Sequence, residues 1–312
     1  MTQTMNDAVV CPSCNNKVVD NLGAIPYTDI YAGRTVAPLY GGFLYQCGKC
    51  CLQFRYPALT KETTDKLYEE GSGRNWQENG KRIDWDIAHA WISSEIAQGN
   101  ILDVGCFDGE FISRFTQSLA MYGVEINETA TQKSQKRGIE VIGKDFSCID
   151  GLEQVFTVVT AFDVFEHVPD PLMLLNRLSN ATQKGGLVII STGNTEAISF
   201  RLLGSRYWYC TIAEHIAFIS PKWCYQHAPD CGLMVESIER FSHAVVKPRM
   251  FATRLKETSM NLLYQFTPIV LECMKRHGLG GKNISEYPEL LDHPPTWMTA
   301  KDHFIVKFRK LK

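Results

Sequence analysis

The stretch ILDVGCFDGEF, residues 101–111, reads as a short buried strand running into a glycine turn. Ile101, Leu102 and Val104 form an apolar run of strand length, and Gly105 and Gly109 bracket the turn that follows. A dinucleotide loop would carry Gly-x-Gly-x-x-Gly and leave a helix N-terminus open to pyrophosphate. Here the spacing is Gly-x-x-x-Gly, with bulky Phe107 between the glycines, Asp103 ahead of them and Glu110 behind. Carboxylates repel a pyrophosphate and suit a cation such as a sulfonium or an ammonium group. The phosphate loop Gly-x-x-x-x-Gly-Lys-Ser/Thr is also missing from the chain.

Outward from this turn, strands and helices alternate. DWDIAHAWISSEIA (84–97) predicts a helix with Ile87, Trp91 and Ile96 on its apolar face. EFISRFTQSL predicts a helix from the four-residue spacing of Phe111, Phe115 and Leu119. MYGVEI, IEVIG, VFTVVTAF and GLVIIST read as strands, TATQKSQKRG and PLMLLNRLSNAT as helices, the latter with Pro171 suited to its first turn. LMVESIERF and DHFIVKFRK read as two further strands, the second returning to the sheet edge. Between them MFATRLKETSMNLLYQFTPIVLECMKRHGLGG carries a helical pattern broken at Pro268, an insertion over the acceptor pocket or a packing helix. The pattern predicts an α/β fold with a doubly wound, mostly parallel sheet.

In such folds ligands bind beyond the carboxyl ends of the strands. Those ends hold Asp103, Gly105 and Gly109, then Glu125, then Asp145 and Phe146, then AFDVFEHVPDP with Asp163, Glu166, His167 and Asp170. Glu125, twenty residues after Gly105, suits ribose hydroxyls. Asp145 and Phe146 suit a purine amino group and ring. Taken together, the strand ends point to S-adenosylmethionine.

The run ILDVGCFDGEF, then YGVEI, KDF and FDVFEHVPDP, resembles the class I S-adenosylmethionine-dependent methyltransferases. The resemblance covers roughly residues 84–240, and Phe107 departs from it where a small residue is commoner. It implies that Asp103, Gly105, Cys106 and Gly109 surround the methionine part of the cofactor and that Glu125 binds ribose. It further implies that Asp145 and Phe146 face adenine while Asp163 and Phe165 line the sulfonium end. Cys106 has no base paired with it, so contact through its backbone is expected rather than nucleophilic chemistry.

The chain carries 11 cysteines, and Cys11/Cys14 and Cys47/Cys50 form two Cys-x-x-Cys pairs separated by 32 residues. Two such turns can offer four thiolates to a tetrahedral Zn2+, with Cys51 left as a bystander. CPSC and CGKCC resemble the zinc-ribbon prefix of some bacterial methyltransferases of sugar and natural-product pathways. The expected organisation is a zinc-ribbon module at 1–60, a linker and docking segment at 61–83, and a methyltransferase domain at 84–312 with a helical insertion at 245–300.

Net charge is −2 and no apolar run of membrane length occurs, which disfavours nucleic acid and a membrane span as partners. A cytoplasmic location is expected from the thiol-rich composition and the lack of an apolar leader, and a homo-oligomer is left open. For a hydroxyl acceptor a base is needed, and His167 and His215 are the candidates. His215 lies in YWYCTIAEHIAFISP, where Tyr207, Trp208 and Tyr209 either stack on the acceptor or anchor the loop. The expected activity is methylation of a small molecule, a hydroxyl of a sugar nucleotide, glycan or natural product. The alternatives are carbon methylation of a sugar nucleotide, RNA methylation, and a non-enzymatic interaction protein.

Overall fold

The computed structural model describes residues 9–31, 34–58, 82–242, 250–266, 294–295, 297 and 299–311. The linker with Arg74 and Trp76, the break at Pro268 and Cys273 lie outside the described residues. In chain order the strands and helices are β1 (Val19–Ala24), β2 (Thr28–Tyr31), β3 (Arg34–Leu39), β4 (Phe43–Cys47), β5 (Gln53–Tyr56), α1 (Ile83–Glu95), β6 (Gly99–Val104) and β7 (Leu119–Val124). They continue with α2 (Glu128–Lys136), β8 (Glu140–Gly143), β9 (Phe156–Phe162), α3 (Pro171–Ala181), β10 (Thr182–Gly193), α4 (Ile198–Leu203) and α5 (Trp208–Thr211). The last are β11 (Ala217–Phe218), α6 (Pro221–His227), β12 (Leu233–Phe241), α7 (Met250–Phe266) and β13 (His303–Lys310).

Contacts gather the described residues into two compact units, each built from separate stretches. One takes its residues from Met1–Trp76, Thr195–Phe218 and Val246–Ala300, the other from Gln77–Asn194, Ile219–Val245 and Lys301–Lys312.

The second unit holds a seven-stranded sheet in the order β12-β13-β10-β9-β6-β7-β8. The pairs β10/β9, β9/β6, β6/β7 and β7/β8 are parallel. The order reverses between β6 and β9, the switch point where doubly wound sheets open a crevice for ligands. β13 runs antiparallel to both β10 and β12, so it lies inside the sheet and β12 forms the edge. This corrects the expected edge position of the last strand. Phe304, Ile305, Val306 and Phe308 are fully buried, which an inner strand demands, whereas β12 leaves Met234 46% exposed.

Two helix expectations also change. Only Ile112–Phe115 turns after the glycine loop, as a single 3₁₀ turn, because Leu119 is drawn into β7 opposite Gly99. Phe111, Ile112 and Phe115 still face the core. In α1 the buried stripe is Asp84, Ala88 and Ile92, with Ile87 and Trp91 packed on its flank. The stripe is displaced because a carboxylate, Asp84, takes an inward position and is satisfied there. The starts of α2 and α3 follow local chemistry: Asn127 Oδ1 accepts from Ala130 N at 2.9 Å, and Asp170 Oδ1 accepts from Leu172 N and Met173 N at 3.1 Å.

The first unit holds the antiparallel sheet β1-β4-β5-β11 and the hairpin β2-β3. Ile25 and Leu44 share one apolar cluster with Phe200, Leu203, Tyr207, Tyr209 and Phe218. Tyr207 and Tyr209 therefore anchor the loop to this core. Both units bury apolar surface, the main source of their stability.

The inner place of β13 has a measurable cost. Phe308→Ala should lose about 3–5 kcal/mol in urea denaturation, whereas Met234→Ala on the edge should stay within about 0.5 kcal/mol of the parent.

Candidate functional site

The loop after β6 is held from below by its neighbours. Gly105 N and Cys106 N donate to Val124 O at 2.9 and 3.1 Å, and Gly109 N closes the turn on Cys106 O at 2.8 Å. Gly105 and Gly109 have φ of +78° and +77°, and a Cβ on Gly109 would lie 2.0 Å from Ile139 Cδ1. Glycine is required at both for conformation and at Gly109 for space as well. Phe107 also takes a left-handed φ, +48°, at a cost of about 1–2 kcal/mol. Its backbone is pinned on both sides: its N–H donates to Glu125 Oε2 at 2.8 Å, and its carbonyl accepts from Ser134 Oγ at 2.6 Å.

Glu125 is buried at the end of β7 and its other oxygen accepts from Asn127 N at 2.6 Å. Burial pushes its carboxyl up, while the amides of Asn127, Phe107 and Ile126 pull it back. These bonds orient the carboxylate without exhausting its acceptor sites. Asp103 is 3% exposed and accepts from Thr160 Oγ1 on the neighbouring strand at 2.6 Å. Burial pushes Asp103 from 3.8 up to about 7, with Glu125 adding to the rise and the Thr160 hydroxyl and Arg82 opposing it.

The end of β9 is organised by a residue the sequence did not single out. Arg82 Nη2 donates to Asp163 Oδ2 at 2.7 Å, and its Nε and Nη2 donate to the two oxygens of Asp84 at 3.1 and 2.6 Å. Ser191 Oγ donates to the same Asp84 carboxylate at 3.0 Å. Asp163 has φ of +53° and donates its N–H to Ser191 O. Nearby, Thr192 Oγ1 donates to buried Glu166 at 2.9 Å, and His303 Nδ1 lies 3.0 Å from Asp302 Oδ1. Burial pushes the His303 imidazole down, but Asp302, with Asp163 and Glu166, carries it above its ordinary value. No spacing rule reveals these pairs, because their members lie 81 residues apart in one case and on undiagnostic strand starts in another.

The remaining predicted residues are less alike. Asp145 is exposed and caps the turn Phe146–Ile149 by accepting from Ser147 N at 2.7 Å. Phe146 is half-buried, with the Arg177 guanidinium 5.3 Å from its ring centre. Phe165 is fully buried, and Cys106 points its sulfur at Gly123 beneath the loop. Burial and the charges of Asp103 and Glu125 push the Cys106 thiol up, away from nucleophilic reactivity. His167 is half-buried at the end of the turn Phe165–His167, and its N–H donates to Val164 O.

In the first unit the structure brings Cys11, Cys14, Cys47 and Cys50 together, with all four sulfurs within 4.8 Å of one another. Cys11/Cys50 and Cys14/Cys47 each lie 3.5 Å apart. A tetrahedral ion with metal–sulfur bonds of about 2.3 Å needs sulfurs about 3.8 Å apart, so the donor set fits Zn2+. Cys51 is not part of the cluster. The same unit fixes His215, whose ring packs on Tyr209 at 4.3 Å and whose Nδ1 lies 3.0 Å from Tyr209 O. A carbonyl only accepts, so Nδ1 carries a proton there. Buried Arg55 ties this loop to β5 by donating to Cys210 O and, at 2.9 Å, to Ile212 O.

A family model described as a methyltransferase domain matches residues 75–237, more than half of the chain. The chain belongs to this methyltransferase family. With the seven-stranded sheet it is a class I S-adenosylmethionine-dependent methyltransferase, which removes the non-enzymatic alternative. Among curated relatives, a ubiquinone biosynthesis O-methyltransferase of Stutzerimonas stutzeri is 26% identical over 175 residues, covering 51% of this chain and 73% of its own length. One of the same name from Idiomarina loihiensis is 31% identical over 135 residues, covering 41% of this chain and 53% of its own. The structure of a methyltransferase from Archaeoglobus fulgidus is 16% identical, covers 80% of this chain and all of its own, and superposes with a TM-score of 0.44. Among the described residues no helix is long and apolar enough to cross a membrane.

The raised Asp103 carboxyl fixes a sign. The folded state keeps a proton that the unfolded chain releases, so the contribution of Asp103 to stability is full below about pH 4 and is lost as pH rises toward about 7. Denaturant midpoints at about pH 5 and about pH 8 should fall more steeply for the parent than for Asp103→Asn.

Proposed function

We propose that this methyltransferase acts on a hydroxyl of a small molecule, with the cofactor held by the strand ends of the seven-stranded sheet. The observation that carries the cofactor assignment is the oriented carboxylate of Glu125, pinned beneath the glycine loop by Phe107 N and Asn127 N. Its remaining acceptor capacity suits two ribose hydroxyls. Asp103, Gly105 and Gly109 take the methionine end, Asp145 and Phe146 the adenine, and Asp163 the sulfonium side. Cys106 contributes through its backbone and Phe165 by packing, since both side chains face the core. When bound, S-adenosylmethionine supplies an electrophilic methyl group.

The acceptor proton goes to a histidine. His167 and His215 are the two candidates. The relatives named as O-methyltransferases support a hydroxyl acceptor. A sugar-containing acceptor, proposed from the sequence, rests on the resemblance of the cysteine prefix alone. We further propose that Cys11, Cys14, Cys47 and Cys50 hold a structural Zn2+, since four thiolates leave no open position for catalysis.

Three measurements test this reading. Calorimetry should show saturable S-adenosylmethionine binding, weakened about tenfold or more by Glu125→Ala. Transfer of labelled methyl to a panel of phenols and sugar nucleotides should fall about 10²–10⁴-fold in His167→Asn or in His215→Asn; full activity in both variants would remove a histidine base. Metal analysis should find about one zinc per chain, lost in Cys47→Ser along with thermal stability of the first unit.

A further inference from the structure

Helix α7 turns its polar side inward and its apolar side out. Glu257 Oε2 accepts from Thr299 N and Thr299 Oγ1 at 2.9 and 2.6 Å, and buried Asn261 donates to Glu257 O at 2.9 Å. Gln265 accepts from Arg206, whose guanidinium lies 5.1 Å from the ring centre of buried Tyr264. Glu257, Asn261, Tyr264 and Gln265 share one helical face, so these contacts fix the rotation of the helix. The other face leaves Leu255 59%, Met260 40%, Leu262 41% and Phe266 70% exposed. A surface helix ordinarily does the opposite. At roughly 180–220 Å² for a whole residue, these four leave about 400 Å² of apolar surface on one helix, as much as the largest patch of many monomers. Two such faces brought together, with their rims, reach the ~1,000 Å² that a specific interface needs.

Leu255, Ser259, Leu262 and Phe266 stand four, three and four residues apart, the a/d spacing of a two-helix seam. That spacing reads the same from either end. We propose that α7 is a contact between two copies of this chain, packed antiparallel about a two-fold axis beside Met260 and Asn261. Leu255 then faces Phe266 of the partner copy, twice over, and Ser259 faces Leu262, a small residue opposite a large one. Lys256 is the only charged residue among the described exposed positions of α7. In this register it falls level with Gln265 of the partner copy, so no like charges meet. A lipid surface fits less well. An interfacial helix lines its polar side with basic residues for the headgroups, and here that side is engaged by Thr299 and Arg206.

Analytical ultracentrifugation of the full chain tests this surface. The parent should pass from monomer to dimer at about 1–100 µM, the weak end for an interface of this size. Leu255→Glu and Phe266→Lys should each weaken the dimer about tenfold or more, with thermal midpoints of the monomer kept because both positions are exposed. Mixed one to one, the two variants should dimerise again. The new carboxylate then faces the new ammonium, and the second Leu255–Phe266 pair is restored. A parallel seam gives no such rescue. A parent that stays monomeric at about 100 µM, a dimer that neither variant weakens, or a mixed pair that fails to associate would overturn the proposal. So would a monomeric parent that sediments with phosphatidylcholine–phosphatidylserine vesicles, which would assign the face to lipid.

Discussion

A parallel sheet delivers the carboxyl ends of its strands to one edge, and every side chain placed there must share that space. In this chain β6, β7 and β9 bring Asp103, Glu125 and Asp163 to that edge. Crowding three carboxylates there, with Asp103 and Glu125 buried, is costly unless each is paired or hydrogen-bonded. The structure meets the constraint three ways: a cross-strand hydroxyl for Asp103, backbone amides for Glu125, and the Arg82 guanidinium for Asp163. Much of the local architecture follows, including the inward Asp84 of α1 and the left-handed backbone at Phe107 and Asp163. Strain of this kind persists where the surrounding bonds over-determine the conformation, and here they do.

The first unit solves a different problem. Its sheet is small, and a small sheet buries little apolar surface. The apolar cluster around Phe200 and Tyr207 holds it, and a metal on the four sulfurs would add to that hold. Arg55 links β5 to the His215 loop through carbonyl contacts. Burial lowers the Arg55 guanidinium to about 10, with Cys210 and Glu214 opposing the fall, so it remains charged near neutrality. A buried cation bonded to two carbonyls specifies loop geometry more than it adds stability.

The long apolar runs of β6, β9, β10 and β13 were legible because a buried strand needs nothing but apolar residues of the right length. The helix at PLMLLNRLSNAT was legible for a local reason too, since Pro171 suits a first turn. What escaped depends on distant partners. The inner place of β13 is set by pairing with β10 and β12, and the short turn at Ile112–Phe115 by the claim of β7 on Leu119. Nothing in the sequence around Asp84 marks it for burial. Only the approach of Ser191, 107 residues away, makes it a buried acid. Strand-end carboxylates could be named from spacing, but their hydrogen-bond partners could not.

The central claim is that Glu125 at the end of β7 is oriented for a ribose. A crystal structure of the chain with S-adenosylhomocysteine tests it most directly. The account predicts both ribose hydroxyls on the Glu125 carboxylate, with Phe107 N still bonded to it. A ribose bound elsewhere, with Glu125 facing only Phe107 N and Asn127 N, would contradict it.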